Sequence, residues 1–130
     1  MNKKLLITGA ILGVLGIVLG AFAAHGLREL VSETAIQSFE TGVRYQIYHA
    51  FLLLILGSTN ILKESSKKVV YLLVLVGVLF FSGSIYGLAT DDLTAFNFKQ
   101  IALVTPLGGV LLIGAWTCLL INFLKVQKDN

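Results

Sequence analysis

The sequence has little of what a disulfide-bonded protein or a soluble enzyme needs. One cysteine, Cys118, excludes an intramolecular disulfide and a Cys-x-x-Cys metal site. One proline, Pro106, and the lack of any low-complexity stretch leave no linker that would separate two domains. Only 13% of the 130 residues are charged, whereas 56% are hydrophobic and the mean hydropathy is +0.87. Because a soluble domain of this length could not bury so much apolar surface, the composition indicates a single membrane domain.

Charge is absent from four long stretches of the chain, residues 5–24, 46–62, 69–90 and 101–124. Crossing the hydrocarbon core of a bilayer takes roughly 20 helical residues. The second stretch is the shortest, and its one ionisable side chain is His49. Because a backbone in lipid must satisfy its own N–H and C=O groups, these runs predict helices. The predicted fold is an all-α, integral membrane bundle of four transmembrane helices in one domain, residues 1–130.

Basic residues are distributed unequally between the two ends of this predicted bundle. Seven of the ten lie before the first span, between the second and third, or after the fourth: Lys3, Lys4, Lys63, Lys67, Lys68, Lys125 and Lys128. The other end has Arg28, Arg44 and Lys99. The positive-inside rule therefore predicts a multi-pass protein of the cell membrane with both termini in the cytoplasm. The net charge of +3 comes from short groups beside apolar runs, so we expect no nucleic-acid partner.

Glycines recur in the spans at spacings that place them on one side of a helix. Small residues at such spacings let membrane helices approach closely, so we expect them at helix contacts. The glycines predicted to pack are Gly9, Gly13, Gly16, Gly20, Gly83, Gly87, Gly108 and Gly109. The first run, with Lys3-Lys4 before it and Ala-Phe-Ala at 21–23, also resembles a secretory signal. Its length and its glycine pattern favour a membrane span.

Residues 33–45 form the only substantial polar stretch, and their pattern is amphipathic. Ile36, Phe39 and Val43 fall on one apolar stripe that continues into the second span. We expect an amphipathic segment at the outer surface that continues into the second helix or bends toward it at Gly42. Glu40 and Arg44 stand four residues apart, which is the spacing of a surface ion pair.

The predicted topology places most polar side chains of the spans in the outer half of the membrane. Ionisable groups at this depth usually face a bundle interior or a wet cavity, so the cluster predicts a shallow pocket that opens outward. Interfacial aromatic residues and hydroxyls bonded to their own helices would give the same pattern without any ligand. The inner half is predicted to be aliphatic packing.

Four runs carry a resemblance to a known family: GAFAAHGL at 20–27, FETGVRYQIYHAF at 39–51, FSGSIYGLA at 81–89 and TPLGG at 105–109. They are similar to domain-of-unknown-function family 423, the YwdK/YgdD-like bacterial membrane proteins, to which eukaryotic transmembrane protein 256 is related. Ala23 stands where the family pattern leads us to expect glycine. The resemblance implies a four-helix membrane protein without an assigned activity. It singles out the candidate ligand-binding residues: His25, Arg44, Tyr45, Gln46, His49, Ser82, Tyr86 and Thr105.

Three classes of function compete on these residues. The preferred hypothesis is a non-enzymatic protein whose pocket binds a lipid headgroup or a small solute, with Arg44 on an anionic group, and which affects envelope integrity or transport. The alternative is a haem or other cofactor held by His25 and His49, which are expected at similar depth on facing helices, although no cofactor or metal is expected. An intramembrane enzyme would need Ser82 or Ser84 beside His49. The expected partners are membrane lipids, and small-residue faces that the bundle leaves unused would allow further copies of the chain to form a homo-oligomer.

Overall fold

Four long α-helices make up most of the chain in the computed structural model, which describes residues 1–95 and 97–129. They are α1 (Asn2–Ala24), α2 (Glu33–Ser58), α3 (Glu64–Ala89) and α4 (Val104–Asp129). Short 3-10 turns at Leu27–Glu29, Asp91–Leu93 and Phe98–Ile101 lie in the two connections at one end of the bundle. No strand occurs in these described residues, which confirms the all-α prediction.

The polar stretch and the second apolar run form one continuous helix. Ser32 caps α2, because its Oγ accepts a hydrogen bond from the Ala35 N–H at 3.2 Å, and Glu33 complements the helix dipole in the first turn. The helix does not break at Gly42, and it ends at Ser58, after which Thr59 is extended. Its 26 residues span about 39 Å. The amphipathic segment is thus the first part of α2.

Within the described residues, three segments are long and apolar enough to cross a membrane: Asn2–Glu29, Glu64–Ala89 and Phe98–Val126. The helix α2 is as long as α3 but less apolar, because it contains Glu40, Arg44, Gln46 and His49. Burial of Gln46 and His49 inside the bundle removes two of these polar side chains from lipid. The protein is therefore an integral membrane bundle of four helices, in which α1, α3 and α4 are more apolar than α2.

The helices pack as two antiparallel hairpins, α1–α2 and α3–α4, joined through contacts between α2 and α3. In the first hairpin Gly9 faces the Ala50 carbonyl and Gly20 faces Val43. In the second, Gly108 lies against the backbone of Phe81. The two inner helices are α2 and α3, so side chains from α1 and α4 reach the bundle interior from opposite sides.

The predicted packing glycines do not all lie at helix contacts. A Cβ added at Gly9, Gly16, Gly87 or Gly108 would come within 3.0 Å of a neighbour, so these four allow close approach. At Gly20 and Gly109 it would make ordinary contacts, at 3.5 and 3.7 Å. Gly13 and Gly83 have no such atom within 4 Å and do not pack within the chain, so the prediction was too broad there. Three glycines that it missed also permit close approach: Gly42, Gly57 and Gly77.

The end of the bundle that holds Met1, residues 59–63 and the last turn of α4, here called the lysine end, contains a buried cation. The side chain of Lys67 is 2% exposed, and its Nζ donates to Asn2 Oδ1 at 2.6 Å and to the Thr59 carbonyl. That carbonyl lies at the negative end of the α2 dipole, which stabilises an ammonium group. The Met1 amino group pairs with Glu64 at 3.0 Å. The side chain of Lys128, also assigned to this end from the sequence, lies outside the described part.

Polar contacts between helices also occur in the half of the bundle nearest the lysine end. Thr8 Oγ1 and Tyr71 OH are 3.0 Å apart and join α1 to α3. Ser66 Oγ donates to Asn122 Oδ1 at 2.7 Å and joins α3 to α4. The expectation of nearly pure aliphatic packing in this half therefore missed these contacts, in which polar side chains satisfy one another between helices.

Candidate functional site

The eight candidate residues occupy four different places rather than one pocket. Gln46, Ser82 and Tyr86 lie at a buried junction of α1, α2 and α3, and Tyr45 and His49 line a cavity between α2, α3 and α4. Thr105 lines a second cavity nearer the end opposite the lysine end. His25 and Arg44 are exposed.

The buried junction is a hydrogen-bond network that spans three helices. Gln46 is 4% exposed, and its Nε2 donates to the Leu12 carbonyl of α1 at 2.8 Å. Tyr86 OH of α3 donates to Gln46 Oε1 at 2.7 Å, and Ser82 Oγ donates to the Gly42 carbonyl at 2.7 Å. Because these side chains already hold one another, the junction ties the helices together and is a poor site for a ligand.

His49 is held in one neutral tautomer. Its Nε2 accepts a hydrogen bond from Trp116 Nε1 at 3.1 Å, and its Nδ1 lies 2.7 Å from the Tyr45 carbonyl. Indole nitrogen only donates, so Nε2 is unprotonated and Nδ1 carries the hydrogen that the carbonyl accepts. Both ring nitrogens are thereby occupied within the bundle, which leaves neither for a metal or a haem iron.

His25 and His49 are far apart along the bundle. Because Gly20 lies opposite Val43 in the antiparallel α1–α2 hairpin, His25 is level with Ser38 of α2. From Ser38 to His49 the helix rises about 17 Å. His25 is exposed, and its Nδ1 lies 2.9 Å from the Ala21 carbonyl of its own helix. The expectation that the two imidazoles lie at similar depth is wrong, and they cannot both ligate one haem iron in this register.

The serines of α3 are not placed as nucleophiles. Ser84 Oγ hydrogen-bonds to Thr105 Oγ1 of α4 and to the Phe81 carbonyl, while Ser82 is bonded to α2 as described above. Across residues 1–95 and 97–129 neither serine hydrogen-bonds to His49. The same part of the chain contains no group of three or more His, Cys, Asp and Glu side chains that could hold a metal ion. The geometry therefore offers no Ser–His pair for hydrolysis.

A cavity of about 410 Å³, here called the upper cavity, lies near the end opposite the lysine end, between α2, α3 and α4. Four hydroxyl side chains and five apolar side chains line it: Ser32, Thr34, Ser38 and Thr105, with Ala35, Ile85, Leu88, Ala89 and Ala102. The hydroxyls of Ser32 and Thr105 have protein partners. Those of Thr34 and Ser38 have none among the described residues, so they can bond to a ligand.

A second cavity of about 300 Å³, here called the lower cavity, lies deeper between the same three helices. It is lined mainly by apolar and aromatic side chains: Tyr45, His49, Phe81, Gly109, Leu112, Ile113 and Trp116. The rings of Tyr45 and Phe81 pack with centroids 5.0 Å apart. Since the side chains of His49 and Trp116 are hydrogen-bonded to each other, the wall of this cavity is mostly apolar.

Arg44 lies on an exposed face of α2 and lines neither cavity. The expected pair with Glu40 is not formed. The ion pairs within the described residues are Met1–Glu64 and Arg28–Glu33, the latter at 3.9 Å. Arg44 therefore presents an exposed guanidinium that has no ion-pair partner among the described residues.

The lining residues Ser32, Thr34, Ser38 and Trp116 were not among the candidates. Thr34 and Ser38 were assigned to a surface segment, which Ser32 precedes, and no partner helix was predicted to cover them. A signal was present, because Thr34, Ser38, Tyr45 and His49 recur at spacings of four, seven and four and therefore share one side of a helix.

Comparison with known proteins gives consistent matches. Residues 19–109 match the family model described as "Protein of unknown function (DUF423)". The chain is 34% identical to the UPF0382 membrane protein SAB0533 of Staphylococcus aureus, over 95% of this chain and 97% of that protein. It is 33% identical to YwdK of Bacillus subtilis (95% and 98%) and 32% identical to the inner membrane protein YgdD of Escherichia coli (99% and 95%). No solved structure is significantly similar to the chain.

Proposed function

Because the chain belongs to the DUF423 family of membrane proteins, we propose that it is a non-enzymatic membrane protein that binds the headgroup of a membrane lipid in the upper cavity. The family carries no assigned activity, so the proposal depends on the cavity itself. Binding of a lipid at this place would support the integrity of the cell envelope.

The upper cavity carries the proposal. Its volume of about 410 Å³ lies within the range of small-molecule sites in proteins. Thr34 and Ser38 offer hydroxyls that act as donor or acceptor, and apolar side chains of α2, of α3 and of the connection before α4 form much of the remaining wall. Such a combination fits the glycerol or headgroup region of a lipid, where polar and apolar groups meet.

Arg44 adds a preference for anionic lipids in this proposal. It follows Ser38 by six residues, so it lies about 120° around α2 from the cavity wall. A long side chain near the outer part of a span extends toward the headgroup layer, where the guanidinium binds phosphate. Arg44 would thus attract an anionic lipid to the edge of the cavity without lining it, which refines the expectation that it lies inside.

Substitution of Ser38 by leucine tests the headgroup site. Ser38→Leu removes a free hydroxyl and fills the cavity, so the amount of lipid that copurifies in mild detergent should fall about tenfold, corresponding to about 1.4 kcal/mol. The matched control is Gln37→Leu on the neighbouring, exposed position, which does not line the cavity. Quantitative lipid mass spectrometry gives the readout. Equal bound lipid in the wild type and Ser38→Leu would refute the proposal.

The orientation in the cell membrane is a second part of the proposal. With the lysine end in the cytoplasm, the positive-inside rule is satisfied and the upper cavity opens to the outside. A phosphatase fused after the C-terminus, which is active only outside the cytoplasm, should be inactive, and a fluorescent protein fused there should fold. The same phosphatase inserted between residues 92 and 95 should be active. The reverse pattern would invert the topology and move the cavity to the cytoplasmic side.

A further inference from the structure

The upper and lower cavities lie end to end between α2 and α4. Ser38 of α2 and Thr105 of α4 line the upper cavity, and His49 contacts Trp116 further along the same two helices. Each of the second pair follows its partner in the first by the same number of residues, so α2 and α4 run parallel. Helix α3 lines both cavities: Ile85 lines the upper cavity, and Phe81, one helical turn away, lines the lower one. The two cavities therefore follow one another along the same side of the bundle, and together they are here called the groove.

The groove changes from polar to apolar along its length. Unpaired hydroxyls lie at the upper end, whereas the lower end is lined by Tyr45, Phe81, Leu112 and Ile113. From Ser38 to His49 the groove descends about 17 Å, close to one leaflet's half of a hydrocarbon core of about 30 Å. A molecule that fills it would have a polar part and a hydrocarbon part of about one leaflet's depth.

Gly109 makes room for such a hydrocarbon part. It lines the lower cavity, and a Cβ added there would meet only the Phe81 ring, at 3.7 Å. Because Gly109 lines the cavity and a Cβ there has no close contact with a backbone atom, a larger side chain at this position is expected to occupy cavity space. Ile113, which also lines the cavity, is 67% exposed, so the lower cavity opens sideways toward the surrounding lipid.

We propose that the lower cavity holds an acyl chain of the lipid whose headgroup occupies the upper cavity, so that the ligand is a membrane phospholipid and not a soluble solute. This proposal rests on the proposed function and specifies its ligand. The polar atoms of His49 and Trp116 satisfy each other, so the wall of the lower cavity is mostly apolar and suits a hydrocarbon chain. A chain could enter from the membrane through the open side.

Trp116, the single tryptophan of the sequence, gives a direct probe because it lines the lower cavity. The purified full chain is reconstituted in phosphatidylcholine nanodiscs with increasing fractions of phosphatidylglycerol brominated in the middle of its acyl chains. Random contact with bulk lipid gives quenching in proportion to that fraction. If an acyl chain is bound beside Trp116, half-maximal quenching should occur at a brominated-lipid fraction at least about fivefold lower than random contact requires, since a preferred site fills first.

Two variants should remove this preference by filling the lower cavity. Gly109→Leu occupies the space beside Phe81, and Ile113→Phe does so from an exposed position that should not disturb folding. Both should return the quenching curve to the random-mixing line. The matched control is Gly83→Leu, at a glycine with open space around it, which should keep the wild-type curve.

The outcomes separate this inference from the proposed function. If lipid copurification depends on Ser38 while Trp116 quenching follows random mixing, a headgroup binds above but no chain lies below, and the inference is overturned. Preferential quenching that persists in both Gly109→Leu and Ile113→Phe would also overturn it. If brominated lipid does not quench Trp116 and Ile113→Cys forms disulfide-linked dimers, a second copy of the chain covers the groove, and the inference is again overturned. If Ser38→Leu binds as much lipid as the wild type, the proposed function fails and this inference with it.

Discussion

Gly108→Ala is expected to force α3 and α4 apart and to lower the free energy of unfolding by about 3 kcal/mol or more. A Cβ at this position would lie 2.3 Å from the backbone nitrogen of Phe81 and 2.8 Å from the carbonyl carbon of Phe80. Backbone atoms cannot rotate away as a side-chain end can, so the helices themselves must move. Overpacking typically costs about 1–3 kcal/mol, and the rigid neighbours place this case at the upper end or beyond.

The adjacent glycine supplies the matched control. Gly109→Ala adds the same methyl group on the same helix, but its Cβ would make an ordinary contact of 3.7 Å with Phe81. Reversible unfolding in mixed micelles should therefore show a loss for Gly108→Ala that is at least about 2 kcal/mol larger. A disulfide between Ser84→Cys and Thr105→Cys, whose side chains touch across the same interface, should form more slowly in the Gly108→Ala background. Equal stabilities of the two variants would contradict this account of the interface.

The sequence was sufficient to predict the class of fold because the bilayer limits what a backbone can do. Long uncharged runs must be helices in lipid, and this constraint does not depend on any particular contact. The prediction was less complete for the glycines. Gly108 stood out beside Gly109 in a run of small residues, whereas Gly42 and Gly77 are isolated and become contacts only when α2 meets Tyr86 and α4 brings Leu112 against α3.

The polar residues show a different limit of prediction. Lys67 was assigned from the sequence to one side of the membrane, a property that needs only its position relative to the spans. Its burial depends on Asn2, which is distant in sequence, and on Thr59, which lies at the end of another helix, α2. Arg44 and Gln46 are two positions apart, yet one is exposed and the other is buried, because a helix turns about 200° between them.

The grouping of candidate residues by depth could not separate ligand contacts from helix contacts. Gln46 and Tyr86 lie near each other, but they hydrogen-bond to each other and Gln46 also bonds to α1, which fills the space that a ligand would need. The polar residues on the side of α2 that faces α4 indicate the cavities better than depth does. To recognise that side from the sequence, one must know which helices are neighbours, and hydropathy alone does not contain that information.

Gln46→Leu is expected to lower the free energy of unfolding by about 3 kcal/mol. The change removes the bond to the Leu12 carbonyl at 2.8 Å and the bond from Tyr86 OH at 2.7 Å. Hydrogen bonds between membrane helices contribute about 0.6–1.7 kcal/mol each, and a buried hydroxyl left without its partner adds about 1–3 kcal/mol. Leucine has nearly the volume of glutamine, so little of the loss should come from packing.

A double-mutant cycle with Tyr86→Phe isolates the bond between these two side chains. Once Gln46 is leucine, removal of the stranded hydroxyl should restore stability, so the double variant should be at least about 1 kcal/mol more stable than the sum of the single losses predicts. Tyr71→Phe is the matched control, since Tyr71 lies on the same helix but contacts Thr8. Its effect should add to that of Gln46→Leu within about 0.5 kcal/mol. Strict additivity for Tyr86 as well would mean that Gln46 does not couple α3 to α1, and the junction would then have room for a ligand.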